Sequence, residues 1–554
     1  MRKFLALCLA AALLVPGCVK VDNSLGKGLV DKSLLYNTYT VEFPLEEITL
    51  EKSSDLSAFS DSRLTLGAIC DETFGLTTRE AAFTLVPVLD TIDLGTNPVA
   101  VNFSLYFAAD TISLADDSQA HIIQNIYVTE LEERLPTSIT GTSHALAHGS
   151  DLITNGLPVF NGSSGISFNF TQEFAQKHVD LIKRLGPVLK DQMDEEGIDL
   201  YDDYVDELPG IYIRTDNPDG LGGRINLFEF SCLSVVNNYY QRNNNLGLLT
   251  VNSTWDGVQK DSTFIFIPGE TEFVDEATYL AANTKFYQYC YNYTSHSTEA
   301  QIADELIYVE GGGGLKPVIH ARELQEKTLA SILSKGGDPE KVAIIKASII
   351  LPFEMPENYL DLNQYPSVLS PTIRATREDE DGEEYISFAG LTDASVNTEN
   401  QGEIDRSVLC YSPDITYHMQ ELLTREDLDT ATDADIWLLT IHTEKVANAS
   451  GSAYDNEYYQ NLLYASYYNS LYGGGYGGYG GYGYGGYGGY GGYGGYSNYY
   501  SYMMLAQMMS ASTQQTYSYN TELDKDRYYK AILNGPAADG DVPMFRITFA
   551  IPQE

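Results

Sequence analysis

The residues whose spacing most suggests chemistry are His144 and His148, four positions apart in the run Gly141-Thr-Ser-His-Ala-Leu-Ala-His-Gly-Ser-Asp151. On a helix, side chains four apart share one face, which is how two imidazoles come to hold one metal ion. The flanking Gly, Ser and Thr predict a loop instead, and no third ligand accompanies the pair, so no metal is expected there. Carboxylates are abundant, as in Asp194-Glu195-Glu196, Glu378-Asp379-Glu380-Asp381 and Asp524-Lys525-Asp526. Two acids about 5–10 Å apart in a cleft could hydrolyse a glycoside, and clustered oxygens could bind calcium. Among 77 Asp and Glu residues, however, neighbouring pairs arise by chance and none has a diagnostic spacing, so solvated loops are expected. No G-x-S-x-G elbow, H-E-x-x-H, Walker A or EF-hand loop occurs. Gly481-x-Gly483-x-x-Gly486 fits a dinucleotide fingerprint but sits inside a Gly/Tyr repeat, without the strand and helix that motif needs. The expectation is a chain with no catalytic residue, no metal and no cofactor.

Cysteine chemistry points to location. Arg2 and Lys3 precede an uncharged apolar run, Phe4 to Val15, too short to span a bilayer and proportioned like a secretory signal. It ends in Leu14-Val15-Pro16-Gly17-Cys18, which resembles a lipobox and makes Cys18 the expected lipidation site. Two or three acyl chains at about 0.8 kcal/mol per buried CH2 anchor a protein stably. Residues 1–17 are therefore read as a signal peptide and 18–34 as a lipidated spacer, with the rest exported to an outer membrane. Cys70, Cys232, Cys290 and Cys410 are widely spaced without a C-x-x-C pair, which argues against a thiolate zinc site. An oxidising compartment would permit disulfides among them, in three connectivities. Cys232 sits in an apolar run, Phe228 to Val236, where a thiol can simply be buried.

Charge narrows the partners. Without residues 1–17 the chain carries 31 basic against 77 acidic residues, a net charge of −46. That field repels nucleic acid and anionic lipid surfaces. The partners expected are the membrane, through the lipid, and proteins or glycans of the envelope. At 554 residues and 43% hydrophobic content the chain can bury two or three cores.

The elements that must position these residues read mostly as strands. Thr38-Tyr-Thr-Val-Glu-Phe43 and Phe545-Arg-Ile-Thr-Phe-Ala-Ile551 alternate in polarity, and β-branched or aromatic runs recur at 211–213, 225–230, 263–267, 344–353 and 437–441. Turn clusters such as Asp216-Asn-Pro-Asp-Gly220 separate them. This pattern predicts a mainly β fold of two β-sandwich or jelly-roll-like domains, at 35–295 and 300–554, joined across the polar stretch Thr294 to Asp304. Three short helices are expected: Thr171 to about Gln192, Ala321 to Lys335 before Gly336-Gly337, and Ile415 to Leu423. A low-complexity insertion, at about 460–515, is Gly-Gly-Tyr repeat between 472 and 496. Glycine at two of three positions makes ordering costly, so a disordered surface loop is expected. Its tyrosines could act as adhesive stickers.

Several stretches together resemble a known family. Leu66-Gly-Ala-Ile-Cys-Asp-Glu-Thr-Phe-Gly75 followed by Ala81-Ala-Phe-Thr-Leu85, Pro209-Gly-Ile-Tyr-Ile213, Ile307-Tyr-Val-Glu-Gly-Gly-Gly-Gly314 and Ile344-Ile-Lys-Ala-Ser-Ile-Ile-Leu-Pro352 resemble motifs of an uncharacterised Bacteroidota lipoprotein family catalogued as domain of unknown function 4270. The resemblance covers residues 30–554 apart from the Tyr/Gly tract. It implies an exported, lipid-anchored, β-rich envelope protein and no activity, with the motif residues as fold determinants. Gly67 and Gly75 are expected to permit turns or close backbone approach. The lineage also implies O-glycosylation at Asp-Ser/Thr-aliphatic or Asp-Ser/Thr-Thr triplets, for which Thr91, Thr111, Ser262 and Thr430 are candidates. The function expected is structural, assembly or adhesive. The alternative, surface glycan binding, predicts two or three coplanar exposed aromatics on one sheet face.

Overall fold

The computed structural model describes residues 36–553 except 61, 90, 115–116, 137–139, 163–164, 187–199, 231–232, 237–238, 243–244, 269–288, 379–381, 383, 394–401, 429–430, 432, 448–516 and 524–526. The fold is mainly β, with antiparallel sheets and a few short helices.

Alternating sequence becomes two-faced strands, and the apolar faces meet in two cores. In the first, a nine-stranded sheet containing Arg63–Asp71, Gly75–Phe83, Gln124–Glu130, Ile211–Thr215, Gly222–Glu229 and Cys290–His296 lies against a five-stranded sheet built on Thr96–Phe107, Gly247–Trp255 and Val258–Pro268. Leu66, Phe83, Val128 and Ile213 of one sheet share a buried cluster with Phe103, Phe107, Leu249 and Phe266 of the other. A helix, Gln172–Leu185, adds Phe174, Val179 and Ile182 to that cluster. Its first turn is capped by Thr171, whose hydroxyl accepts a hydrogen bond from the Phe174 N–H at 3.2 Å. The helix stops at Gly186, with φ 100°, short of the Gln192 end expected from periodicity. The glycine terminator prevailed over the apolar spacing.

The second core lies between a seven-stranded and a five-stranded sheet. Ile48, Leu50, Leu315, Ile319, Ile436 and Leu438 face Ala347, Ile349, Leu351, Phe545, Ile547 and Phe549. Helices Ala321–Ser334 and Thr416–Leu422 form within two residues of their expected ends. The eight-residue helix Leu200–Glu207 was not anticipated.

The expected domain limits need one correction. Tyr36–Pro44, expected to open the first domain at 35, pairs along its whole length with Met544–Pro552. Ile48–Lys52 pairs with Leu315–Ile319. Both strands therefore belong to the second core, and the chain enters the first sandwich only afterwards. Alternation reveals that a strand has a buried face, not which strand lies beside it.

Disulfides permitted by the sequence do not form among the described cysteines: Cys70, Cys290 and Cys410 are not joined to one another. The Cys290 thiol is buried and donates to the Arg63 carbonyl at 3.1 Å. Cys18 and Cys232 lie outside the described residues.

The Tyr/Gly tract also lies outside the described residues, but its attachment is defined. Ile436–Ala447 and Tyr517–Leu523 pair as antiparallel arms, with Ala447 opposite Tyr517. Residues 448–516 thus leave and re-enter the fold at neighbouring positions.

Candidate functional site

The two histidines of the 141–151 run make separate contacts. His148 stacks on Tyr212 with ring centroids 4.1 Å apart, and its Nδ1 lies 3.0 Å from the Gly149 carbonyl. His144 offers its carbonyl to the Tyr291 hydroxyl at 2.6 Å. Among the described residues no three His, Cys, Asp or Glu side chains converge as metal ligands. The acidic runs at 194–196 and 524–526 lie outside the described residues, as does 378–381 apart from Glu378.

What the fold does bring together is two of the motifs, about 240 residues apart in sequence. The first forms a hairpin. At Gly67, φ is 142° and a Cβ would lie 2.1 Å from the Arg224 carbonyl oxygen, so the neighbouring strand can approach only because position 67 is glycine. Gly75, with φ 66°, completes the turn. The Asp71 carboxylate accepts from the backbone N–H groups of Thr73 (2.8 Å) and Phe74 (3.0 Å), fixing the turn. It also pairs with Lys530 from the second core. Burial opposes its charge, but Lys530 and the two backbone donors outweigh that and hold its pKa below the usual value. Phe74 points across the junction and meets Tyr308 edge-on, 5.8 Å between centroids.

The second motif, beginning at Ile307, carries that Tyr308 on strand Leu306–Glu310 and turns through Gly311 to Gly314. Glu310 and Lys316 are both fully buried. The Glu310 carboxylate accepts from the Thr298 hydroxyl at 2.5 Å and the Leu315 N–H at 3.2 Å, and lies 3.2 Å from His296 Nδ1. The Lys316 ammonium donates to the carbonyls of Glu310, Gly312 and Gly314. Arg79, 1% exposed, donates to the Thr294 hydroxyl at 2.7 Å and lies against the glycine turn. A Cβ at Gly312 would come 2.3 Å from its Nη2. Burial, with Arg79 and Lys316 close by, pushes the His296 pKa down, so the imidazole is neutral near pH 7. Burial works against the Glu310 charge too, but its donors prevail and keep its pKa low.

These buried ions were not anticipated, though Arg79 left a trace. It shares the inward face of its strand with Thr77, Ala81 and Phe83, so a charge stood where alternation demands an apolar residue. Arg224, also fully buried, shows the same pattern. It donates to Asn226 Oδ1 at 2.6 Å and to the carbonyls of Ala120 (2.6 Å) and Phe160 (2.8 Å).

Above the junction a cleft of about 640 Å³ opens between the two halves, lined by Asp71, Glu72, Gln119, Asp361, Tyr365 and Lys530 among others. A second cleft, about 710 Å³, lies beside helix Gln172–Leu185. Across it Lys177 pairs with Glu130 and Arg184 with Glu207.

Of the glycosylation candidates, Thr91 and Thr111 are exposed, Ser262 is half-buried within strand Val258–Pro268, and Thr430 lies outside the described residues. Among the described residues, the large exposed aromatics Tyr36, Tyr359 and Tyr417 stand on three separate elements. Among the described residues no helix is long and apolar enough to cross a membrane. No family model matches the chain, and neither a curated protein nor a solved structure matches it.

Proposed function

We propose that this chain is a lipid-anchored protein of the outer membrane, held by Cys18, with a non-catalytic structural, assembly or adhesive role in the envelope. The observation that supports this reading best is the use made of the buried ions at the junction. His296 bonds Glu310 across the two halves, while Glu310 also accepts from the Thr298 hydroxyl, Lys316 donates to backbone carbonyls and Arg79 to the Thr294 hydroxyl. Groups engaged in this way are suited to fixing geometry rather than to turning over a substrate.

The test is fractionation of Cys18→Ala beside the parent chain, with cross-linking of both in the native membrane. The variant is expected in the soluble fraction with its fold intact, and the parent in a defined complex that the variant lacks. A variant that stays membrane-bound without detergent overturns the anchor. A parent that cross-links to nothing overturns the assembly role.

A further inference from the structure

We propose that strand Tyr36–Pro44 pairs antiparallel with the same strand of a second copy of this chain, joining two five-stranded sheets into one. The pairing goes beyond the assembly role above and stands whether or not other proteins join it.

Tyr36–Pro44 lies at the end of its sheet. One side is paired along its whole length with Met544–Pro552, and among the described residues no strand pairs with the other side. An open strand edge is a row of peptide groups that a further strand can take up, so edges are usually kept short, bulged or charged. Other strands at sheet ends follow that rule. Ile404–Asp405 and Val159–Phe160 have 2 residues each, Glu384–Gly390 has 7 and starts on a carboxylate, and Ala109–Leu114 borders a bulge. Tyr36–Pro44 has 9 residues in an unbroken register, with no Lys, and no Pro before its last position. Its one charge, Glu42, is held by Arg546.

The inward face of this strand is unfinished. Tyr39, Val41 and Phe43 pack on the second core yet stay half-buried, whereas the residues paired with them, Phe549, Ile547 and Phe545, are fully buried. A strand laid along the open edge would complete that burial.

The residues of the strand favour a copy of itself as that neighbour. Antiparallel pairing about Thr40 sets Thr40 against Thr40, Tyr39 against Val41, Asn37 against Phe43 and Thr38 against Glu42. Directly opposed residues share a face, so the apolar sides of the two copies coincide. Tyr39 then meets Val41 twice, an aromatic and β-branched pair of the kind that stabilises sheets. Thr38, Thr40 and Glu42 meet on the wet side, and no like charges are opposed. A strand that is its own complement gives a closed two-fold dimer rather than an open chain. Repulsion between two acidic copies is largely screened beyond about 8 Å at physiological ionic strength, and the one carboxylate brought to the edge already has its arginine.

The experiment is sedimentation of the full chain in detergent solution, over a range of protein concentration. Thr40 is exposed, so Thr40→Glu and Thr40→Lys are expected to fold as the parent does, checked by thermal unfolding. The parent should dimerise. Each variant alone opposes like charges at the two-fold axis and should weaken the dimer at least tenfold, while an equal mixture opposes Glu to Lys and should restore it. A parent that stays monomeric throughout overturns the proposal. So does a dimer that the variants leave unchanged, or a mixture no tighter than its components. Oxidation of Thr40→Cys in the native membrane gives a second reading, since opposed Cβ atoms about 4.5–5.5 Å apart come close to disulfide geometry. A disulfide-linked homodimer that is absent from Thr548→Cys, one strand further in, supports the pairing. No linked homodimer overturns it, and an adduct with a different protein alone overturns it while leaving the assembly role standing.

Discussion

At the scale of single residues, the junction depends on charges that are expensive to bury. A charge taken from water is tolerated only when its donors or acceptors find partners. Glu310 and Lys316 each come close to that condition: the carboxylate has three donors around it, and the ammonium faces three carbonyls. Removing the carboxylate leaves its buried donors without an acceptor and the nearby buried cations without a countercharge. Glu310→Ala is therefore expected to lower unfolding free energy by about 3–5 kcal/mol, measured by urea denaturation. Glu310→Gln, which keeps acceptor and shape, should cost distinctly less. Equal costs for the two would mean that the cavity, not the charge, is what matters at this position.

At the scale of elements, the strand pair Ile436–Ala447 and Tyr517–Leu523 holds both ends of the Tyr/Gly insertion. Residues 448–516 hold 18 of the chain's 42 tyrosines, and residues 458–521 carry no charge in a chain of net charge −44. Because Ala447 and Tyr517 are already opposite each other, a two-residue Asn-Gly turn can replace 448–516 without altering the register. The excised protein should melt within a few degrees of the parent, by circular dichroism. A large loss of stability would mean that the insertion packs on the fold. The motif hairpin illustrates the converse: Gly67 and Gly75 were legible as turn or approach positions, but the surface the turn meets was not. Asp71 and Phe74 contact Lys530 and Tyr308, and nothing in a local window of sequence encodes such distant partners.

At the scale of the whole molecule, three buried histidines govern the response to acid. Burial, with Lys177 adding to it, lowers the His178 pKa to about 3. Burial lowers His418 to about 4 against the opposing pull of the Ala434 carbonyl, and His296 is lowered at the junction. Each is neutral when folded but takes a proton near 6.5 when unfolded. Stability is therefore undiminished above pH 6.5 and falls as pH drops towards 4, by about 1.4 kcal/mol per pH unit for each of His178 and His418, with His296 acting in the same direction. Asp393 acts with the opposite sign. Burial raises its pKa to about 6, so between about 4 and 6 the folded state binds its proton more tightly and offsets part of the loss. His178→Phe should reduce the slope of unfolding free energy against pH by about one proton between 6 and 4, in urea melts at stepped pH. An unchanged slope would show that His178 does not titrate as a buried neutral group.

The sequence by itself determined what depends on neighbours along the chain. Strand faces follow from alternation, as Phe545, Ile547 and Phe549 show by turning inward while Arg546 faces water. Helix limits follow from local starts and stops such as Thr171 and Gly336, though the apolar spacing beyond Gly186 masked the stop there. Only the tertiary structure decided what depends on residues hundreds of positions away: that Tyr36–Pro44 completes the C-terminal sheet, that the cysteines at 70, 290 and 410 stay apart, and that Arg79, His296, Glu310 and Lys316 meet at one joint. The physical reason is that periodicity and capping act over a few residues. Strand partners and buried charge networks are chosen instead by the free energy of the assembled cores, where each polar group must find its partner wherever the chain happens to bring one.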